Sequence, residues 1–306
     1  MLKRYHIIDG KLVENGADNC QVSVYITPDD AERAFLINQM QIDEHTLNSS
    51  LDPDELSRLE FEANHIALII KRPKRYSSAD NFLLKISSVG VFLFADKMVI
   101  VMPEEAVIFD GRPFQRLRSL QDVLLKVVFR CIQHFEDHLK VIQKISDELE
   151  SEINKALTNK DLVYMFNLEK SLVYYLKAIN SNSRVIEKLK ANAAKIGFTT
   201  EESEFIEDVI IENGQCYEAA NTYSQVLSNM MDAWVSVVSN NLNIRIKMLT
   251  ILSFCVMVPT LIVSIFSMNV KMPMPQDGSL WPFWSIMGLV TVAIILIGLL
   301  WRRYHW

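Results

Sequence analysis

Stepping by 4, 3, 4, 3 residues from Asp232 selects Asp232, Ser236, Ser239, Asn243, Ile246, Thr250, Ser253, Met257, Thr260, Ser264 and Ser267. Nine of these eleven are small or polar, and the mean step of 3.5 residues is the period at which one helix face keeps meeting a common axis. Hydroxyl, amide and carboxylate oxygens can exchange hydrogen bonds with a hydrated cation without stripping it. Mg²⁺, which dehydrates reluctantly, suits such a lining. Ile246 and Met257 interrupt the stripe as apolar rings able to close by dewetting, with Leu249 just off it as a third. A dry reading competes, because Ser and Thr also fill tight helix–helix contacts in membranes. The acid and the amide that enter the stripe just ahead of the apolar run favour the wet one.

Other residues with chemical potential have plainer readings. Cys131, His134 and His138 share one helix face at i, i+3 and i+7, a spacing that could hold a transition metal. Soft-ligand sites usually draw on a second element, so helix packing is the preferred reading there. The acidic stretch Asp147-Glu148-Leu149-Glu150-Ser151-Glu152 reads as a solvated face. Met272, Met274 and the two nearby prolines read as a stiff loop rather than a thioether metal site. No Gly-rich phosphate loop, GxSxG or HExxH occurs, so no enzyme is expected.

The stripe belongs to an unusual segment. Of 306 residues 50% are apolar, and the net charge is −6, against the basic excess of nucleic-acid binders. From Asn241 onward five basic residues face one acid, a local +4, which leaves −10 for residues 1–240. The four cysteines form no CxxC pair, and reduced cytosolic thiols are the simpler reading. Met248 to Val270 is an uncharged run of 23 residues, and Gly278 to Trp301 is a second. At about 1.5 Å per residue each crosses a hydrocarbon core of about 30 Å. Arg245 and Lys247 precede the first span, and Arg302, Arg303 and His305 follow the second. Positive charge stays inside, so both termini are expected in the cytoplasm. The opening residues MLKRYHIIDG lack an apolar h-region, and no cleaved signal is expected.

Ahead of the spans, residues 1–112 read as an α/β domain with strands at 21–26 and 65–70 and a hairpin across 82–102. Helix starts are expected at Thr27-Pro28-Asp29-Asp30 and at Asp52-Pro53-Asp54-Glu55. Beyond Pro113 long helices follow: about 116–157, a second to about 194, and a third from the capping box Thr199–Glu202. The third could run unbroken into the first span, with Asn213-Gly214 as its one weak point. A rod of about 100 Å needs partners, copies of itself being the simplest.

Ile265-Phe266-Ser267-Met268-Asn269, followed by Met272-Pro273, stands at the end of the first span. With two C-terminal spans and a short outer loop, it resembles the CorA family of magnesium transporters and its zinc-transporting relatives. Their signature is Gly-Met-Asn after an aromatic residue, with Met-Pro shortly beyond. The likeness extends back through Asp232-Ala233-Trp234, Asn243 and Lys247-Met248-Leu249-Thr250. The resemblance implies an α+β cytosolic domain (1–112), long stalk helices (113–243) and two transmembrane helices (244–306) with an outer loop at 269–280. It implies a funnel-shaped homopentamer in the inner membrane, in contact with lipid and its own copies and not with nucleic acid. Asn269 then meets the ion at the outer mouth, with Met268 and Ser267 beside it. Asn243, Leu249, Met257 and Thr260 line the pore, Asp232 lies in the funnel, and Asp208 is the acid of a regulatory metal site between subunits.

The implied activity is passage of a divalent cation, Mg²⁺ first, down its electrochemical gradient, with intracellular divalent cation holding the pore shut. The alternatives are Zn²⁺ or another divalent ion of the same superfamily, or a membrane-anchored scaffold that conducts nothing. Two departures bear on selectivity. Ser267 replaces the signature Gly, and the acid that usually follows Met-Pro is missing, which leaves Asp277 partly offset by Lys271 in the outer loop.

Overall fold

Apolar residues alternate along the N-terminal strands, and the alternation loads both faces of one sheet. In the computed structural model, which describes residues 1–15, 20–74, 82–152, 159–268 and 280–304, seven strands form it. They are β1 (Leu2–Ile8), β2 (Lys11–Glu14), β3 (Val22–Ile26), β4 (Arg58–Phe61), β5 (Ile66–Pro73), β6 (Ile86–Leu93) and β7 (Met98–Met102). The order is β2-β1-β3-β7-β6-β5-β4, and only β3 and β7 pair in parallel. Val22, Val24, Ile26, Leu68 and Ile70 point to one face and Tyr25 and Ala67 to the other, as a period of two requires. The second face is covered by α1 (Asp30–Asn38) and α2 (Glu44–Ser49), through Leu36 and Leu47, and by Ile42 of the connection between them.

The expected helix start at Thr27–Asp30 is present: Asp29 caps α1 in a full capping box with Glu32. The one expected at Asp52–Glu55 is absent. The second helix begins earlier, at Glu44, capped by Asp43. Asp52 instead takes the Asp54 N–H on its own carboxylate, an Asx turn. Lys71 fixes that turn from within the sheet, donating to the carbonyls of Asp52 and Pro53 and to Ser88 Oγ. Burial lowers the Lys71 pKa to about 8.

Gly90 shows how closely α2 and the sheet approach. A Cβ there would overlap the Ser50 side chain, which is held by its hydrogen bond to the Leu47 carbonyl at 2.6 Å. Gly90→Ala should therefore cost about 1–3 kcal/mol through overpacking. A melt of the full chain should fall by about 2–4 °C per kcal/mol; an unchanged melting temperature contradicts the packing described.

The first face is covered by α3 (Leu120–Glu152) and α4 (Asn159–Ala191). Leu124, Val127, Val128, Cys131, Phe135 and Leu139 of α3 are buried in one core with the sheet. Asn182 of α4 closes both backbone groups of Lys71, accepting its N–H and donating to its carbonyl at 2.9 Å each. A single turn, α5 (Ala193–Ile196), ends at Gly197, whose φ of +86° suits the left-handed cap. Thr199 and Glu202 then form the expected box and α6 runs without interruption from Thr200 to Phe266. Asn213-Gly214 does not break it, because Asn213 is buried and donates to the Ile179 carbonyl of α4. The last helix is α7 (Trp281–Tyr304). The chain divides into two compact units, Met1–Met231 and Asp232–Trp306.

Candidate metal-ion pathway

Within the second unit, α6 and α7 each hold a window apolar enough to cross a membrane, with mean hydropathies of 2.4 and 2.5. Over 248–266 of α6 the partly covered residues are Ile251, Cys255, Val258, Pro259, Ile262 and Phe266. The matching positions on α7 include Ile286, Val290, Ala293 and Ile297, and Ile251 and Val258 share a groove with Ile297. Stripe residues Ser253, Thr260 and Ser264 sit two positions after Ile251, Val258 and Ile262. Two positions are about 200° around the helix. Ser253, Thr260 and Ser264 thus lie on the side of α6 turned away from α7, whereas Ile246 and Thr250 border the groove that also holds Ile297, Leu300 and Trp301.

Every stripe position from Asp232 to Ser267 is exposed within the chain. Leu249 and Met257, 65% and 62% exposed, have no cover from their own subunit. Apolar side chains so placed require lipid, another copy, or a constriction.

The hydroxyls have a common orientation. Ser236 donates to the Asp232 carbonyl at 3.0 Å, Thr250 to Ile246 at 2.9 Å, Ser253 to Leu249 at 2.9 Å and Thr260 to Val256 at 2.7 Å. A carbonyl can only accept, so each hydroxyl has given its single hydrogen to the turn before it. What each presents outward is an oxygen with lone pairs, a pure acceptor. A row of acceptors matches the water of a hydrated cation, whose hydrogens point away from the metal.

At the C-terminal end of α6 Ser267 continues the last turn, its N–H donating to the Val263 carbonyl at 3.0 Å and its hydroxyl to the Ser264 carbonyl at 2.9 Å. Among the described residues the non-glycines with positive φ are Asp9, Thr27, Gln41 and Phe82, so Ser267 occupies no glycine conformation. The backbone at this position does not need the signature Gly. Met268 follows, exposed, its N–H donating to Ile265 at 3.4 Å. Asn269, Lys271, Met272, Met274 and Asp277 lie outside the described residues.

The remaining candidates separate. Asp208 is exposed on α6 in the first unit. No group of three or more His, Cys, Asp or Glu is placed to hold a metal among the described residues. A metal at Asp208 must find its other ligands in water or a second copy. Cys131 is buried in the core, which pushes its thiol up to about 12, and His138 pairs through Nδ1 with Tyr175 Oη at 2.7 Å. The spacing of the stripe was visible in sequence; the direction of its hydroxyl hydrogens and the side taken by α7 were not.

The CorA-like Mg²⁺ transporter protein family matches residues 24–303. The chain is 25% identical to the cobalt/magnesium transport protein CorA of Methanocaldococcus jannaschii, over 97% of each chain. It is 23% identical to the protein of the same name from Thermotoga maritima, over 85% of this chain and 75% of that one. The complete structure of the CorA magnesium transporter from M. jannaschii superposes with a TM-score of 0.80 at 22% identity, covering 99% of this chain and 96% of that one. Sequence and fold agree over nearly the whole length, and the chain belongs to the CorA-like family of Mg²⁺ transporters, which are ion transporters and not enzymes.

Proposed function

We propose that the protein passes a hydrated divalent cation, Mg²⁺ first, down its electrochemical gradient through an axial pore lined by the first spans of five parallel copies. The observation that carries this is the row of acceptors on α6, of which Ser253 and Thr260 lie opposite α7 and Thr250 borders the groove shared with it. Five such rows around one axis give successive rings of oxygens at Asp232, Ser236, Asn243, Thr250, Ser253, Thr260 and Ser264. Ile246, Leu249 and Met257 form apolar rings between them, able to empty of water and stop the ion. An ion that keeps its shell needs no carboxylate in the span.

Basic residues at both cytoplasmic flanks support an inner-membrane protein with both termini in the cytoplasm. A potential negative inside then draws the ion inward, by about 2.3 kcal/mol per charge per 100 mV and roughly twice that for a divalent ion. Uptake needs no other energy source. Closure is assigned to divalent cation held between subunits at sites that include Asp208, which stabilises the closed arrangement only if it binds there more tightly. Asp208→Ala should raise the internal Mg²⁺ needed to half-close the pore by about tenfold. Unchanged inhibition in a flux titration removes Asp208 from that site.

The test of the whole reading is ion-selective flux into liposomes holding the purified protein, with an imposed potential. Mg²⁺ should enter in proportion to the potential. Zn²⁺ entry that outruns Mg²⁺ moves the assignment to a zinc transporter. Absence of flux for any divalent ion, from an assembled oligomer, leaves the scaffold reading in its place.

A further inference from the structure

His134 and His138 on α3 take no part in the conduction pathway, and neither is fully buried. A cavity of about 780 Å³ opens between the sheet and α3, and both imidazoles line it, together with Tyr5 of β1 and Glu105. Four residues apart, they stand on one helix face about a turn from each other, with ring centroids separated by 6.1 Å. Cys131, the third residue of that spacing, is 1% exposed in the core and does not reach the cavity. The soft ligand therefore drops out, and two nitrogen ligands remain.

Those nitrogens are available. Neither ring nitrogen of His134 has a hydrogen-bond partner among the described residues, and neither is sealed in the interior as His65 Nε2 is. His138 engages only Nδ1, 2.7 Å from Tyr175 Oη, and its Nε2 is likewise open. With the ring proton on Nδ1, facing Tyr175, the Nε2 lone pair is left for a ligand. Metal-bound imidazoles are ordinarily fixed by such a partner on the other nitrogen. Tyr175 is itself fully buried and packs edge-on against Phe135, so it cannot swing away. Burial first, and then the charges of Arg130 and Arg72, lowers the His134 pKa to about 4, and burial lowers that of His138. Both rings are therefore neutral, the form that binds metal. The two arginines repel a cation only weakly, because each is paired, Arg72 with Glu104 at 3.1 Å and Arg130 with Asp137 at 3.7 Å.

We propose that His134 and His138 together hold a borderline transition-metal cation of the Zn²⁺ or Ni²⁺ class, with water in the remaining coordination positions. Bonds of about 2.0–2.1 Å put two rings on one tetrahedral Zn²⁺ with centroids about 5 Å apart, so about 1 Å of ring movement closes the site. Mg²⁺, which takes oxygen ligands, does not compete for a pair of imidazoles. The site is separate from the conduction pathway, since none of its residues belongs to the stripe, and its test does not depend on flux.

Zn²⁺ would be titrated calorimetrically into the full-length protein in excess Mg²⁺, which fills sites built from oxygen. One Zn²⁺ per chain should bind to wild-type protein and be weakened at least about a hundredfold in His134→Gln, with the melting temperature kept, because His134 is partly exposed and breaks no hydrogen bond. His138→Gln should show the same loss. X-ray absorption at the zinc edge of the loaded wild-type protein should show two imidazole nitrogens at about 2.0–2.1 Å. The proposal is overturned if no Zn²⁺ binds in excess Mg²⁺, or if binding is unchanged in folded His134→Gln protein. A zinc spectrum with oxygen ligands alone overturns it equally.

Discussion

Replacing Ser253 with lysine should bring Mg²⁺ uptake to background in an assembled protein. Ser253 lies in the middle of the acceptor row, exposed within the chain and on the side of α6 away from α7. Five copies would place five ammonium groups around the ion. At about 6 Å and the dielectric constant of water, each repels a divalent ion by about 1.4 kcal/mol, or about 7 kcal/mol for the ring. At 1.36 kcal/mol per tenfold, that is about five powers of ten in rate. Lysine stems that swing along the axis weaken the repulsion, yet a loss of about fiftyfold survives even a threefold reduction of this energy. Ser253→Thr keeps the hydroxyl and its backbone bond, and should conduct at near wild-type rates. Flux of both variants would be read with an entrapped Mg²⁺ indicator, after sizing has shown that the oligomer forms. Normal uptake through the lysine variant places Ser253 off the ion's path.

That position was legible in sequence because a helix writes its faces into spacing. The steps of 4 and 3 that select Ser253 needed no knowledge of the fold, and the same holds for the capping boxes at Asp29 and Thr199. What spacing cannot express is which of two local options a residue takes when a distant group decides. Asp52-Pro53-Asp54-Glu55 has the composition of a helix start, and Asp serves an Asx turn equally well. The turn is fixed by Lys71, 19 residues further on and buried in the sheet. β1, β2 and β4 escape the sequence for a related reason. Their residues mix charge with apolar side chains, and pairing of β1 with β3, β2 with β1 and β4 with β5 makes them strands. The hydroxyl direction is also invisible in the letters, since Ser on a helix can donate to its own backbone or to a neighbour. The proposed pathway rests on that choice, because an acceptor favours the shell of a cation and a donor does not.

On the proposed pathway, the outer mouth is a second place where a small change should have a large effect. Ser267 carries the last helix turn outward in register with the stripe, and Asn269 follows two residues later in sequence. We assign Asn269 to the ring that first meets the hydrated ion. The loop sequence offers little other attraction, with Asp277 partly offset by Lys271, so on this assignment entry would depend on amide carbonyl oxygens rather than on net negative charge. Each such oxygen accepting from the ion's water is worth about 1 kcal/mol net. A ring that engages three at once supplies about 3 kcal/mol, roughly a hundredfold in entry rate. Asn269→Ala removes all of them, leaves a methyl collar that water wets poorly, and should abolish uptake. Asn269→Asp restores acceptors and adds charge, and should recover capture at low external Mg²⁺ even where release into the pore is slowed. Uptake by the alanine variant at near-normal rates would take the selecting role away from Asn269. If the aspartate variant is as inactive as the alanine one, the amide hydrogens, and not the carbonyl oxygen, are what the ring requires.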